Sequence, residues 1–141
     1  MLSKLLHSRE PATSFGLLVL RVSFGCFMLV HGWPKLMGFS QMADKFPDPL
    51  GMGSQLSLVA AVGAEVGCSI LLILGLGTRL AAIPLAFTMI VALFMVHGAD
   101  PWQVKEKAAL YLAVYVVLVF TGSGRFSVDH CLWGNREEEI S

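Results

Sequence analysis

Four apolar segments, each approaching or reaching the length needed to cross a lipid bilayer, restrict the fold of this chain more than any other feature. They run approximately over residues 14–32, 55–75, 79–97 and 107–121. A helix needs about 20 mostly apolar residues to cross a hydrocarbon core of roughly 30 Å. Backbone polar groups cannot stay unpaired in lipid, so such segments form helices. We therefore predict an all-α protein, an antiparallel bundle of four transmembrane helices.

The composition excludes an ordinary water-soluble domain. Hydrophobic residues make up 55% of the 141 residues and charged residues only 14%, and the mean hydropathy is +0.70. Nearly all-apolar helices leave no polar face that water could solvate. The formal net charge is zero, so no broad basic surface is available to neutralise a phosphate backbone. We expect the lipid bilayer as the main partner and no nucleic acid.

The segments between the spans give the organisation of the chain. Residues 1–13 precede the transmembrane domain of residues 14–121, and residues 122–141 form a C-terminal tail. A turn of about three residues between the second and third spans makes them antiparallel neighbours. The loop of residues 39–54 is longer, so it can lie over one mouth of the bundle. Lys and Arg number five on the side of the termini and four on the other side, which favours cytoplasmic termini.

Two ionisable residues lie inside apolar spans, Arg21 in the first and Glu65 in the second. A charge at the centre of a transmembrane helix raises the insertion cost by about 2.5 to 3.5 kcal/mol, so each needs a partner, a wet cavity or neutralisation. Both residues fall near the middle of their predicted spans. We therefore predict an Arg21–Glu65 ion pair inside the bundle. The pair either fixes helix register alone or belongs to a ligand or proton site.

Polar and aromatic residues gather near one predicted mouth of the bundle. His31 lies at the end of the first span with Lys35 just after it, and His97 ends the third, while Tyr111 and Tyr115 share one face of the fourth. Interfacial and packing roles explain these residues as well as a site for a lipid headgroup or a quinone ring does. The two histidines lack a further ligand at suitable spacing, so we predict no metal.

Three ordered motifs resemble the DoxX family of small bacterial membrane proteins. They are LRV leading to HGWPKL in residues 20–36, EVG followed by LGLGTRLAA in residues 65–82, and GSGRFSVD in residues 122–129. The family pattern is matched by position at Arg21, His31, Lys35, Glu65 and Arg79. The resemblance implies a four-helix protein of the bacterial inner membrane. It also implies links to a thiosulfate:quinone oxidoreductase and to responses to oxidative or thiol stress, but no settled catalytic residues.

Three functions follow from these observations. The favoured one, on the family resemblance more than on the residues, is a quinone- or lipid-binding accessory subunit of a membrane oxidoreductase or thiol-stress system. No recognised motif would hold a haem, a flavin or an iron–sulfur cluster. We thus expect no covalent cofactor and an accessory role more than a stand-alone enzyme. The second is a carrier for a small molecule, which would need a homodimer. The third is a structural or receptor-like protein that binds partners within the membrane.

Overall fold

The computed structural model describes residues 10–138, and the regular secondary structure in this part of the chain is all helical, with no strand. The remaining parts of the predicted N-terminal segment and C-terminal tail, residues 1–9 and 139–141, lie outside the described residues. In chain order the described helices are α1 (Glu10–Met37), α2 (Phe39–Met42), α3 (Ser54–Leu74), α4 (Thr78–Val96), α5 (Trp102–Thr121) and α6 (Val128–Glu138). The all-α prediction is therefore confirmed.

Within the described residues, three helices are long and apolar enough to cross a membrane: α1, α3 and α4. The 20-residue helix α5 has a similar length, but Lys105, Glu106 and Lys107 lie in its first turns. Three candidate spans are thus established by length and composition, which does not confirm the predicted count of four.

The turn between α3 and α4 is built as the sequence predicts. Gly75 has a φ of +71°, in the left-handed region that favours glycine. The amide of Gly75 donates to the carbonyl of Leu72, and the amide of Leu76 donates to the carbonyl of Leu71. These two bonds form a Schellman motif, which ends α3 and reverses the chain. The helices α3 and α4 are therefore an antiparallel pair.

The core lies between α1, α3, α4 and α5. Its fully buried side chains include Leu72 from α3, Leu85 from α4, and Tyr115 and Leu118 from α5, with Met28 from α1 against them. Many large apolar residues remain exposed on the outer surfaces of the same helices. Such surfaces are costly in water and natural in lipid. The packing therefore agrees with a protein whose outer surface contacts a bilayer.

Candidate functional site

A buried ion pair joins α1 to the middle of α3. The Lys35 Nζ lies 2.7 Å from both carboxylate oxygens of Glu65. The Glu65 side chain is 6% exposed and the Lys35 side chain 26% exposed. An ammonium group has three hydrogen-bond donors, and the carboxylate takes two of them. One donor of Lys35 is therefore left for another acceptor on its exposed side.

Local backbone structure explains why Glu65 can meet α1 so closely. Residues Gly63–Cys68 form a π-helical turn inside α3, a feature often found at functional sites. Gly32 of α1 packs directly against this turn, and a Cβ placed at Gly32 would lie only 2.8 Å from the Cβ of Glu65. The absence of a side chain at Gly32 thus permits the close approach. From there, Lys35 reaches back toward Glu65 because helical side chains tilt toward the helix N-terminus.

The ion pair lies in the wall of a cavity of about 290 Å³ between α3, α4 and the loop that precedes α3. A second π-helical turn, Ala92–Val96 at the end of α4, also contributes to its wall. The lining side chains are mostly apolar, Lys35 and Glu65 supply its charges, and His97 also contributes to the wall. The Lys35 Nζ also lies 5.9 Å above the centre of the Phe46 ring, a cation–π contact.

The loop of residues 43–53 forms one side of this cavity, in keeping with the prediction that the first loop covers a mouth of the bundle. Asp48 holds the loop in shape. Its carboxylate accepts hydrogen bonds from the amide of Gly53 at 2.8 Å, the amide of Met52 at 2.9 Å and the hydroxyl of Ser57 at 2.9 Å. The Gly53 amide, followed by the other donors, lowers the pKa of Asp48 below its ordinary value.

The predicted Arg21–Glu65 pair is wrong. Arg21 is 1% exposed, and its guanidinium donates to the backbone carbonyls of Ser123 and Phe126. Gly32 is the residue of α1 that packs on Glu65, and Arg21 lies 11 residues earlier, which corresponds to about 16 Å along the helix. The helix α1 continues through Pro34 to Met37, so its midpoint lies further along the chain than the predicted span implied.

Arg21 belongs instead to a polar cluster where α3 ends and α4 begins. The Asp129 carboxylate accepts hydrogen bonds from the amides of Gly77 at 2.8 Å and Thr78 at 3.2 Å. A Cβ at Gly75 would lie 2.7 Å from a nitrogen of the Arg21 guanidinium. The cluster therefore connects α1, the turn before α4 and the segment after α5. Two of the motifs that resemble the DoxX family, residues 74–82 and 122–129, contribute residues to this cluster. These motifs are the sequence feature that could have indicated it.

The other predicted site residues separate into two groups. His97 lines the cavity and its Nδ1 lies 2.7 Å from the Asp100 carboxylate. His31, Tyr111 and Tyr115 form a row of aromatic contacts, with neighbouring ring centres 6.0 Å apart, and none of the three lines the cavity. No residue within 10–138 gives the buried Tyr115 hydroxyl a hydrogen bond.

Several cavity residues carried no sequence signal. Phe46, Ser57 and Thr88 line the cavity, but a single aromatic or hydroxyl residue in a loop or helix does not stand out in a sequence. Within the described part of the chain, no group of three or more His, Cys, Asp or Glu side chains is placed to hold a metal ion. The cavity therefore presents to a ligand an ammonium donor and a carboxylate acceptor beside apolar walls. That combination suits a small, largely apolar ligand with a polar oxygen.

Comparison with known proteins shows one family and several relatives. The family model described as DoxX matches residues 16–98. An uncharacterized protein of Haemophilus influenzae is 32% identical, with 89% of this chain and 96% of the relative covered. The putative oxidoreductase CatD of Bacillus subtilis is 31% identical (81% and 84% covered), and the inner membrane protein YphA of Escherichia coli is 30% identical (80% and 87% covered). No solved structure matches the chain significantly.

Proposed function

This chain belongs to the DoxX family of membrane proteins, and we propose that it is an accessory subunit that holds a quinone for a membrane oxidoreductase. The observation that carries the proposal is the cavity beside the Lys35–Glu65 pair. Its volume of about 290 Å³ is at the lower end of the range for small-molecule sites, roughly 300 to 1,000 Å³. That volume suits the ring of a quinone better than a whole lipid.

The chemistry of the cavity fits a quinone carbonyl. The third donor of the Lys35 ammonium can bond one carbonyl oxygen of the ring, because Glu65 accepts only the other two. The apolar residues of the loop and α4 would contact the ring faces and the start of an isoprenoid tail. The buried Glu65 carboxylate is the nearest acidic group of the cavity, so it is the residue that would exchange a proton with a bound quinol.

An accessory role fits the chain better than a complete redox enzyme. Electron transfer needs a redox centre, and the sequence contains no recognised motif for a haem, a flavin or an iron–sulfur cluster. A relative in Bacillus subtilis is named a putative oxidoreductase, which supports a redox setting. The chain would therefore bind the quinone, and a partner oxidoreductase would pass the electrons.

The proposal includes four spans with both termini on the cytoplasmic side of a bacterial inner membrane. The helix α5 would be the fourth span, with Lys105 and Lys107 at the outer surface. The mouth beside Lys35 and His97 would then open on the outer side of the membrane. An Escherichia coli relative is named an inner membrane protein, which supports this membrane. The homodimer that a carrier would require stays a prediction.

Mass spectrometry of the molecules that co-purify with the protein in mild detergent tests this function. We expect the native chain to retain a quinone near one per protein, and Lys35→Met and Glu65→Gln to lose it. Lys107→Met removes an equivalent charge away from the cavity, and His31→Ala alters the aromatic row, so both should retain it. A quinone held equally by native protein and Lys35→Met would contradict the proposal, as would the absence of any retained quinone from native protein extracted from a quinone-containing membrane.

A further inference from the structure

A second pocket lies at the opposite end of the helices from the Lys35–Glu65 cavity. Its volume is about 420 Å³, and its wall is formed by the start of α4, the turn after α5 and the helix α6. The 19 residues of α4 span about 27 Å. The first cavity contacts the far half of α4, up to His97. The two sites are therefore separate, and the inference below is independent of the proposed function.

Arg79 is the cationic residue in the wall of this second pocket. Its side chain is exposed, and none of the side chains described within residues 11–134 gives it a hydrogen bond or an ion pair. The guanidinium lies against the backbone of Gly122, where a Cβ would stand 3.1 Å from the Arg79 Nε. A planar group with several unused donors is thus held at the pocket wall. Such a group is suited to bidentate contact with a phosphate or a carboxylate.

Thr78 provides a second and independent sign of a ligand. It is 1% exposed and lines the same pocket, yet its hydroxyl has no hydrogen-bond partner among the described residues. Buried hydroxyl groups are nearly always hydrogen-bonded, because leaving one unpaired costs free energy. A bound acceptor oxygen would satisfy the Thr78 hydroxyl together with the Arg79 guanidinium once the Thr78 side chain turns toward the pocket that the residue lines.

The charges around the pocket favour an anion. The carboxylate of Asp129 lines the pocket, but it already accepts hydrogen bonds from two backbone amides, those of Gly77 and Thr78. Arg21 lies within electrostatic range of the same carboxylate and attracts it. In the wall itself Arg79 and Asp129 are the charged residues, and His130 completes its titratable groups. Because the buried Arg21, which lies outside the wall, and two backbone amides compensate the Asp129 carboxylate, Arg79 is the charge left for a ligand.

We propose that this pocket binds the phosphate of an anionic phospholipid headgroup. The source is a lipid because the pocket lies where the candidate span α4 begins, which is the level of the bilayer surface. Leu80 lines the pocket and is 75% exposed, so an acyl chain can run along it toward the membrane interior. Trp133 lines the other side and belongs to a residue type enriched at membrane interfaces.

Titration of the purified protein with short-chain phosphatidylglycerol, followed by native mass spectrometry, tests this site. We expect Arg79→Gln to weaken binding by about tenfold, the effect of losing one charge-assisted phosphate contact. Lys107→Gln is the matched control, because it removes one exposed cation from the opposite end of α5, and it should bind as the native chain does. Arg79→Lys keeps the charge but not the bidentate geometry, so we expect a weakening between those of Arg79→Gln and the control.

Three results would overturn the proposal. Equal affinities of Arg79→Gln and Lys107→Gln would remove Arg79 from the site. Equal binding of phosphatidylglycerol and phosphatidylcholine would show that the pocket does not select an anionic headgroup. Competition by inorganic phosphate at the same concentration as the lipid would show a free-phosphate site. If Arg79→Gln does not fold, native affinity in the folded Arg79→Lys variant would be equally decisive against the proposal.

Discussion

Removing the lysine of the Lys35–Glu65 pair should destabilise the protein more than removing the glutamate. Lys35→Met leaves the carboxylate of Glu65, whose side chain is 6% exposed, without a counter-charge. Glu65→Gln leaves an ammonium on a flexible side chain that is 26% exposed and that can turn toward the solvent of the cavity mouth. The asymmetry in exposure therefore predicts an asymmetry in stability.

The magnitude follows from the geometry. Two unit charges 2.7 Å apart attract by about 6 kcal/mol at an effective dielectric constant of 20, before the cost of desolvation is subtracted. Loss of one partner from a fully buried pair costs about 3 to 5 kcal/mol. Because water screens the partly exposed Lys35, we expect about 2 to 3 kcal/mol for Lys35→Met and about 1 kcal/mol for Glu65→Gln.

Unfolding in mixed micelles with increasing SDS, followed by far-ultraviolet circular dichroism, measures these free energies. The double variant Lys35→Met, Glu65→Gln closes a double-mutant cycle, and we expect it to be no less stable than Lys35→Met alone. Lys107→Met is the control for loss of a lysine on a helix outside the cavity. The two charges would not be energetically coupled if the costs of the two single variants summed to the cost of the double variant within about 0.5 kcal/mol. A cost of Lys35→Met below about 0.5 kcal/mol would refute the argument as well.

Three further predictions concern other parts of the fold. Gly32→Ala should cost about 1 to 3 kcal/mol in the same SDS assay, because the new Cβ would overlap Glu65; Gly16→Ala, with no atom within 4 Å of its new Cβ, should cost nothing. Arg21→Met should cost about 2 to 4 kcal/mol, because the part-buried carbonyls of Ser123 and Phe126 lose their charged donor; a cost below 1 kcal/mol would contradict this. The pKa of Asp48 is lowered in the folded state, so its stabilisation of the loop is present above the unfolded value of 3.8 and is lost as the pH falls through the lower folded value. Hydrogen exchange in residues 43–53, corrected for intrinsic rates, should therefore increase only below about pH 4, and Asp48→Asn should abolish this pH dependence.

The helical architecture could be predicted because each of its signals is local. Long apolar segments require helices in lipid, and the glycines at 75 and 77 allow the positive φ angles of a tight turn. The prediction that a long loop lies over the mouth also rested on a local property, its length. In each case a short segment of sequence is enough to determine the structure.

The partner of Glu65 could not be predicted in the same way. Both Arg21 and Lys35 lie on α1, and the choice between them depends on the register between α1 and α3. That register is determined by Gly32, whose missing side chain allows contact with the π-helical turn at Glu65. Pro34 lies in the last turn of α1, where it is compatible with a helix that continues to Met37. Lys35 consequently lies on the helix and within reach of the carboxylate.

The contacts of the polar cluster were also beyond a local prediction. Arg21 and its acceptors at Ser123 and Phe126 are more than 100 residues apart in the chain. Both segments belong to motifs that resemble the DoxX family, but the sequence does not indicate that they are in contact. Only the packing of α1 against the end of α5 brings the buried guanidinium to the carbonyls of Ser123 and Phe126.

The central claim is that the cavity beside Lys35 and Glu65 binds a quinone. The most direct test is to fill this cavity by a substitution that leaves both charged residues in place, and to measure the binding of a short-chain benzoquinone by isothermal titration calorimetry in detergent. Ala60 lines the cavity, and Ala60→Phe would occupy a large part of its volume. We predict one binding site in the native chain, no binding to Ala60→Phe, and native affinity in a Leu110→Phe control on the exposed face of α5. A quinone that binds Ala60→Phe as tightly as the native chain would contradict the assignment of this cavity as the ligand site.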